Sequence, residues 1–452
     1  MSQEKYIAAI EIGSSKIIGA VGRYTYPAER LDIIAVEQEH AIECVCNGII
    51  HNVEETATRI MRIIGNLEKR PGVAPRIINK VYVGLSGRSL RNVPREITRT
   101  LKDDTEISDE VLQSMAAEAL RSQIDASLEV IEAIPAIYTV NNKETKSPIG
   151  TPGDNISVRY QLIAARPTLA KHLKRVVRDK VGLEIAGIVI TPTAVADLIL
   201  SDDEKRLGCM LVDMGAETTT VSIYQRGALH YLAVLPMGSR NITRDITTLS
   251  VLEKDAENVK TNSGKAIASD DVSSLNINGM RMSDVSKLVV ARSEELVANI
   301  IEQMHYADVT SQKLSGGIIT VGGGFNLNQM SELLRRQSDL KVRRGSLPEN
   351  VTLEDTKAPS YETIEVISIM NVGTAKNAPE CLEMPKQQMP ALDNQDEDWR
   401  EQEEYERRMH EERVRKQQAR KKRSNRFFSS VKTKLAEMFN TSEVDDDEPE
   451  ID

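Results

Sequence analysis

The sequence predicts an α/β protein of two or more domains, with mixed sheets carrying helices on their faces. Three observations predict it. From Tyr6 to about Cys381, β-rich runs alternate with runs of helical period. One pattern of strand, acid, turn and strand occurs twice, roughly 200 residues apart. After Cys381 the composition breaks into charge blocks that cannot bury a core. A length of 452 residues exceeds what a single core holds.

In chain order, the β-rich runs are YIAAIEIG, KIIGAVGRY, LDIIAVEQE, KVYVGLSG, SVRYQLIAAR, EIAGIVITP, CMLVDMG and GGIITVGGG. Their Val, Ile and Tyr content fits a pleated, buried surface. Helical periodicity runs over 53–67, 108–122, 168–179 and 283–306. The stretch 362–378 (ETIEVISIMNVGTAKNA) shows no helical period and reads poorly as a helix.

Composition excludes several classes. A formal charge of −10 argues against nucleic-acid binding, and 40% apolar with 28% charged residues suits a globular chain. Cys44, Cys46, Cys209 and Cys381 lack metal-ligand spacing, which points to a reduced, cytosolic compartment. The start MSQEKYIAAIEIGSS has no basic region before an apolar run, so no secretory signal is expected. No run approaches the ~20 apolar residues of a membrane span.

The repeated pattern carries the chemistry. AAIEIGSSKIIGAVG (8–22) and MLVDMGAETTTVSIYQRG (210–227) each run from a strand ending in an acid, through x-Gly and small polar residues, into a second strand. Each reads as a hairpin whose turn offers backbone N–H groups, with glycine allowing positive φ and close approach. Either alone is an ordinary turn. Two matched copies, with Glu11 and Asp213 at the same offset, point to a clamp gripping phosphates from both sides, the acids holding a hydrated Mg²⁺. A third element, GIITVGGGFNLNQM (317–330), leads a strand into Gly322, Gly323 and Gly324 and then a helix, where a nucleoside could lie on bare backbone.

That order resembles the superfamily of actin, hexokinase and the heat-shock chaperones. Within it the chain resembles the bacterial cell-division FtsA family, through EIGSSK (11–16), GLSGRSL (84–90), VDMGAETTTVSIYQRGAL (212–229), LPMGSRNITRDI (235–246), DAENVKTNSGKAI (255–267) and ITVGGG (319–324). The resemblance implies a two-lobed actin-like fold: subdomain 1A from 1–84, 166–192 and 361–381, 1C from 85–165, 2A from 193–240 and 310–360, and 2B from 241–309. A charged linker (382–425), an amphipathic helix (426–440) and an acidic tail (441–452) would follow. It also implies ATP and Mg²⁺ in the cleft, self-assembly into filaments, and capture of the C-terminal peptide of FtsZ by 2B at the division septum.

Residue by residue, the resemblance makes Gly13, Ser14, Ser15 and Lys16 the first phosphate loop, and Asp213, Gly215, Thr218 and Thr219 the second. Asp213, with Glu11 through water, would serve the metal. Glu257, Lys260 and Gly322 to Gly324 would form the adenosine pocket. Four departures from the superfamily stand out. Glu11 is one methylene longer than the usual Asp. Ala216-Glu217 replaces Gly-Gly, so Ala216 should restrict the turn and Glu217 should add charge near the phosphates. Thr220 stands where an Asp often sits, and no residue can be assigned to position an attacking water. ATP binding with weak or no hydrolysis is therefore expected.

Beyond the globular part, 393–406 holds eight acids against Arg400, 407–426 holds ten Lys and Arg, and the last ten residues hold seven acids. Between them, Phe427, Met438, Val431, Leu435, Phe428 and Phe439 fall within an arc of about 120° on a helical wheel. Arg426 precedes this arc, and Lys432 and Lys434 flank it. Such a helix could dock on the body, lie in a partner's groove, or lie on an anionic membrane; flanking bases that can snorkel favour the membrane, on its cytoplasmic face. A pilus-assembly ATP-binding scaffold and a small-molecule kinase of the same fold are the alternative functions.

Overall fold

The computed structural model describes residues 3–268, 276–277, 279–354, 360–385 and 407. The amphipathic segment with Arg426, Phe427, Phe428, Val431, Lys432, Lys434, Leu435, Met438 and Phe439 lies outside them, as do most of the expected linker and the acidic tail.

The chain opens with three antiparallel strands, β1 (Gln3–Ile12), β2 (Lys16–Tyr26) and β3 (Arg30–His40). A small hairpin, β4 (Val45–Cys46) and β5 (Ile49–Ile50), leads into α1 (Val53–Leu67), capped by the Asn52 side chain. After β6 (Ile77–Ile78), β7 (Lys80–Leu85) joins β1 in parallel. Then comes a separate antiparallel unit: β8 (Arg91–Glu106), α2 (Asp109–Leu120), β9 (Glu129–Val140), β10 (Lys143–Thr145) and β11 (Pro152–Ala165). It has its own core, including Ile97, Met115, Ile156, Val158 and Tyr160.

The chain returns through α3 (Pro167–Lys174), a π-helical turn (Arg175–Val181) and β12 (Glu184–Ile190), which pairs with β7. The helices α4 (Thr191–Ile199) and α5 (Asp202–Leu207) lead to a second meander, β13 (Cys209–Met214), β14 (Thr219–Gln225) and β15 (Ala228–Leu235). There follow α6 (Ser239–Thr247), α7 (Glu253–Ser263), the short hairpin β16 (Asn276–Ile277) and β17 (Met280–Arg281), and the long α8 (Met282–Tyr306). Next come β18 (Gly317–Val321), α9 (Met330–Ser338), β19 (Val342–Arg344), β20 (Val351–Leu353), α10 (Ile364–Val372) and β21 (Leu382–Glu383).

Sheet order shows the repeat at the level of architecture. The first sheet runs β12-β7-β1-β2-β3-β20, and the matching part of the second runs β19-β18-β13-β14-β15. Each half is a three-stranded meander with two parallel strands beside its first strand. One residue pair, Ala233 with Arg91, joins the second sheet to the inserted unit. The β1 and β2 strands are buried almost continuously because helices cover both faces. Gly19 and Gly22 permit this: a Cβ on Gly19 would lie 2.4 Å from Ile63 of α1, and one on Gly22 would lie 2.5 Å from Met370 of α10.

Two expectations need correction. The stretch expected not to form a helix contains α10, whose Ile364, Val366, Ile367, Ile369 and Met370 are all buried. A helix apolar on every side has no amphipathic period, so periodicity could not reveal it. And Leu382 and Glu383, expected to begin the linker, pair as β21 with β6, with Leu382 buried. No helix among the described residues is long and apolar enough to cross a membrane.

Candidate functional site

The two repeated hairpins close in the same way. Gly13 N–H donates to Lys16 O at 3.0 Å, and Gly215 N–H donates to Thr218 O at 2.8 Å. Neither glycine has a positive φ. What each provides is room: a Cβ would sit 3.0 Å from Lys16 O at Gly13 and 3.2 Å from Thr218 O at Gly215. The expected need for glycine freedom here is corrected on that point, and likewise at Ala216, whose φ is also not positive.

Within the first turn, Ser14 is buried and its Oγ accepts from Gly48 N–H at 2.9 Å. Ser15 O accepts from Ala41 N–H. Lys16 Nζ pairs with Glu362 Oε2 at 2.6 Å, just before α10. In the second turn Thr218 is half-buried, while Thr219 is fully buried and donates through Oγ1 to Met237 O at 2.8 Å. Thr219 therefore fixes the turn to the loop that enters α6.

Parallel pairing of β18 with β13 brings the third glycine element to Asp213. Gly322 has φ +86°, and a Cβ there would meet Met214 O at 2.4 Å and Asp213 Oδ1 at 2.5 Å. A Cβ on Gly324 would strike Met214 Cγ at 2.4 Å, but Gly323 faces open space. The segment that follows α7 joins the end of this loop through Ala266 N–H to Asn328 O. On α7, Lys260 is buried and its Nζ binds Glu257 Oε2 at 2.7 Å, Thr243 Oγ1 at 3.0 Å and Ser239 O at 3.3 Å. Glu257 and Lys260 thus form a mutually satisfied pair that ties α7 to α6.

Electrostatics mark the floor of the site. Burial, reinforced by the Asp213 carboxylate and opposed by Lys16, pushes Glu11 up to about 8. Burial pushes Asp213 up to about 6. A third acid, missed from the sequence, joins them: Glu365 in the first turn of α10 is raised well above the carboxylate range by burial and by Asp213 and Glu11. An acid inside the apolar run ETIEVISIM was the available signal. Among the described residues no three His, Cys, Asp or Glu side chains form a ready-made metal cluster. Thr220 lies directly across from Asp213 in the β13–β14 register.

Glu217 corrects a further expectation. It is 5% exposed, and Arg240 Nη1 and Arg244 Nη2 both donate to its Oε1, at 2.8 and 2.9 Å. Its charge is neutralised in place and is not left facing the cleft.

The family model of cell division protein FtsA matches residues 210–365, and that of the SHS2 domain inserted in FtsA matches 87–164. A cell division protein FtsA of Porphyromonas gingivalis is 32% identical over 351 residues, covering 74% of this chain and 72% of that relative. The chain belongs to the FtsA family. The FtsA of Bacillus subtilis is 26% identical over 376 residues, covering 80% of this chain and 82% of its own. A solved PilM–PilN type IV pilus biogenesis complex is similar in fold, with a TM-score of 0.58 at 16% identity, covering 82% of this chain and 98% of that one. The fold of this FtsA-family chain is actin-like: mixed α/β, with two matched halves around the paired hairpins.

Proposed function

We propose that this cell-division protein binds ATP with Mg²⁺ in the cleft between the Gly13–Lys16 and Gly215–Thr218 turns, and tethers FtsZ filaments to the cytoplasmic face of the membrane at the septum. The observation that carries the nucleotide reading is the pair of identically closed turns with Glu11 and Asp213 at their bases. The residues fit the ligand. Two desolvated carboxylates need a cation to stay ionised, and the open space at Gly323 suits a nucleoside. The bound triphosphate and metal would supply the anionic charge and the cation that these groups lack.

The protein's own groups then have distinct roles. Backbone N–H groups of Ser14, Ser15, Lys16 and Thr218 line the two turns. Thr219 holds the second turn rigid, and Glu11 and Asp213 hold the metal through water. Glu257 and Lys260 shape the adenosine pocket by bracing α6 against α7. The nucleotide acts as a conformational ligand that biases lobe closure and self-assembly, with weak or no hydrolysis. Residues 85–165 serve as subdomain 1C, 241–309 as the FtsZ-binding 2B, and 426–440 as a membrane-surface helix; family membership supports this map.

Titration calorimetry tests the base of the proposal. Heat of binding is expected with ATP and Mg²⁺ together and a much smaller signal with ATP and a chelator; no heat with both present sinks it. A pull-down with the FtsZ C-terminal peptide is expected to retain the full chain.

A further inference from the structure

The β4–β5 hairpin is wedged between the two phosphate turns. Its corner, Asn47 (φ 49°) and Gly48 (φ 71°), lies in the left-handed region. A Cβ on Gly48 would lie 2.7 Å from Gly87 Cα, so only glycine fits. Gly48 N–H donates to Ser14 Oγ in the first turn at 2.9 Å, and the adjacent Asn47 N–H donates to Glu217 Oε2 in the second turn at 2.8 Å. Arg88 N–H holds the corner from behind through Asn47 O at 3.2 Å. Glu217 continues the chain of contacts through Arg240, 12% exposed, which lies 3.6 Å from Glu253 on the helix that carries Glu257 and Lys260.

One carboxylate thus ties a backbone N–H of the first lobe to two guanidiniums of the second. Charge-assisted bonds to a buried carboxylate are strong, and leaving its partners unmatched is costly. The corner can contact both turns only when the turns are close together. The geometry points to Glu217 as an interlobe latch, a positioning residue that holds the cleft at the separation a nucleotide's phosphates require, with Arg240 and Arg244 as its anchors. This rests on the proposed nucleotide site and goes beyond it: the regulatory contact is made by protein alone.

The latch and a simple repulsive charge make opposite forecasts. Removing a repelling carboxylate would tighten nucleotide binding; removing the latch weakens it. With a fluorescent ATP analogue and Mg²⁺, Glu217→Ala in the full chain is expected to weaken affinity about tenfold. Glu217→Gln keeps the acceptor for Asn47 but loses the charge, so it should fall between Ala and wild type. Arg240→Ala should weaken binding similarly, and the double variant should lose less than the sum of the two. Affinity equal to or tighter than wild type in Glu217→Ala overturns the latch.

Hydrogen exchange read on peptides spanning 41–50 decides independently of any ligand. Faster exchange at Asn47 in Glu217→Ala, with a smaller increase or none in Glu217→Gln and an unchanged core, supports the latch; unchanged exchange at Asn47 in Glu217→Ala overturns it. If wild-type protein takes up no nucleotide, the cleft reading fails while this exchange result still stands or falls alone. Should Glu217→Ala not fold, Glu217→Gln and Arg244→Ala, whose side chain is 58% exposed, carry the same comparison.

Discussion

Glu11 and Glu217 are both carboxylates near the cleft, and their surroundings drive them in opposite directions. Glu11 ordinarily titrates at 4.5 and is held at about 8 in the folded chain, chiefly by burial. The folded state therefore binds the proton more tightly than the unfolded one, and stability falls as pH rises from about 4.5 through 8. Glu11→Gln is expected to raise stability by ~1–3 kcal/mol at pH 8 and by nothing at pH 4, as read by urea unfolding without nucleotide. It should also weaken Mg²⁺-dependent nucleotide binding, the trade expected of a functional group held out of its comfortable state. At Glu217 burial also pushes up, but the Asn47 N–H and Arg240 outweigh it and leave the carboxyl below its ordinary 4.5. Its contribution is present above pH 4.5 and is lost as pH falls through the lowered folded value. The sequence made Glu11 legible because its motif recurs at Asp213. It did not make the Glu217 clamp legible, because Asn47 is 170 positions away and Arg240 belongs to another element.

At the scale of elements, the strands were readable and one helix was not. Runs such as AAIEIG and MLVDMG combine β-branched residues with a terminal acid and a glycine, so strand, turn and site residue are encoded together. By contrast, α10 is buried against β1, β2, β7 and α4, so no polar face marks its period. Glycines admit it: a Cβ on Gly84 would lie 2.5 Å from Ile369 Cδ1, and one on Gly373 would lie 2.7 Å from Ile7. Because Glu365 stands in its first turn and Glu362 immediately before it, the packing of α10 sets both acids relative to Glu11 and Lys16. Ile369→Ala is expected to cost about 3 kcal/mol in denaturant unfolding, through the cavity it leaves. Val372→Lys, at a position 45% exposed, should cost little. Equal losses at the two positions would contradict a helix buried on the Ile369 side.

At the scale of the whole molecule, the proposed function pairs a nucleotide-responsive body with an anchor whose strength would have to come from number. Laid on a membrane as proposed, the six apolar side chains of 426–440 would gain roughly 6–12 kcal/mol by half-burial. Ordering about thirteen residues gives back roughly 1 kcal/mol each, and neighbouring bases add about 1 kcal/mol apiece on an anionic surface. One copy would therefore bind weakly and reversibly. Copies joined in a filament raise one another's effective concentration at the surface, so the assembly binds far more tightly than its parts. Since assembly follows lobe closure in this scheme, the membrane readout should depend on the cleft. Full-length protein is expected to pellet with anionic vesicles when ATP and Mg²⁺ are present, and much less without them. Phe427→Glu with Phe439→Glu should abolish pelleting while leaving nucleotide binding intact, because the substitutions lie outside the globular body. Glu217→Ala should do the reverse, keeping the weak single-copy anchor while reducing the nucleotide-dependent gain. Unchanged pelleting in the double phenylalanine variant would rule out the anchor, and pelleting indifferent to nucleotide would separate membrane binding from the cleft.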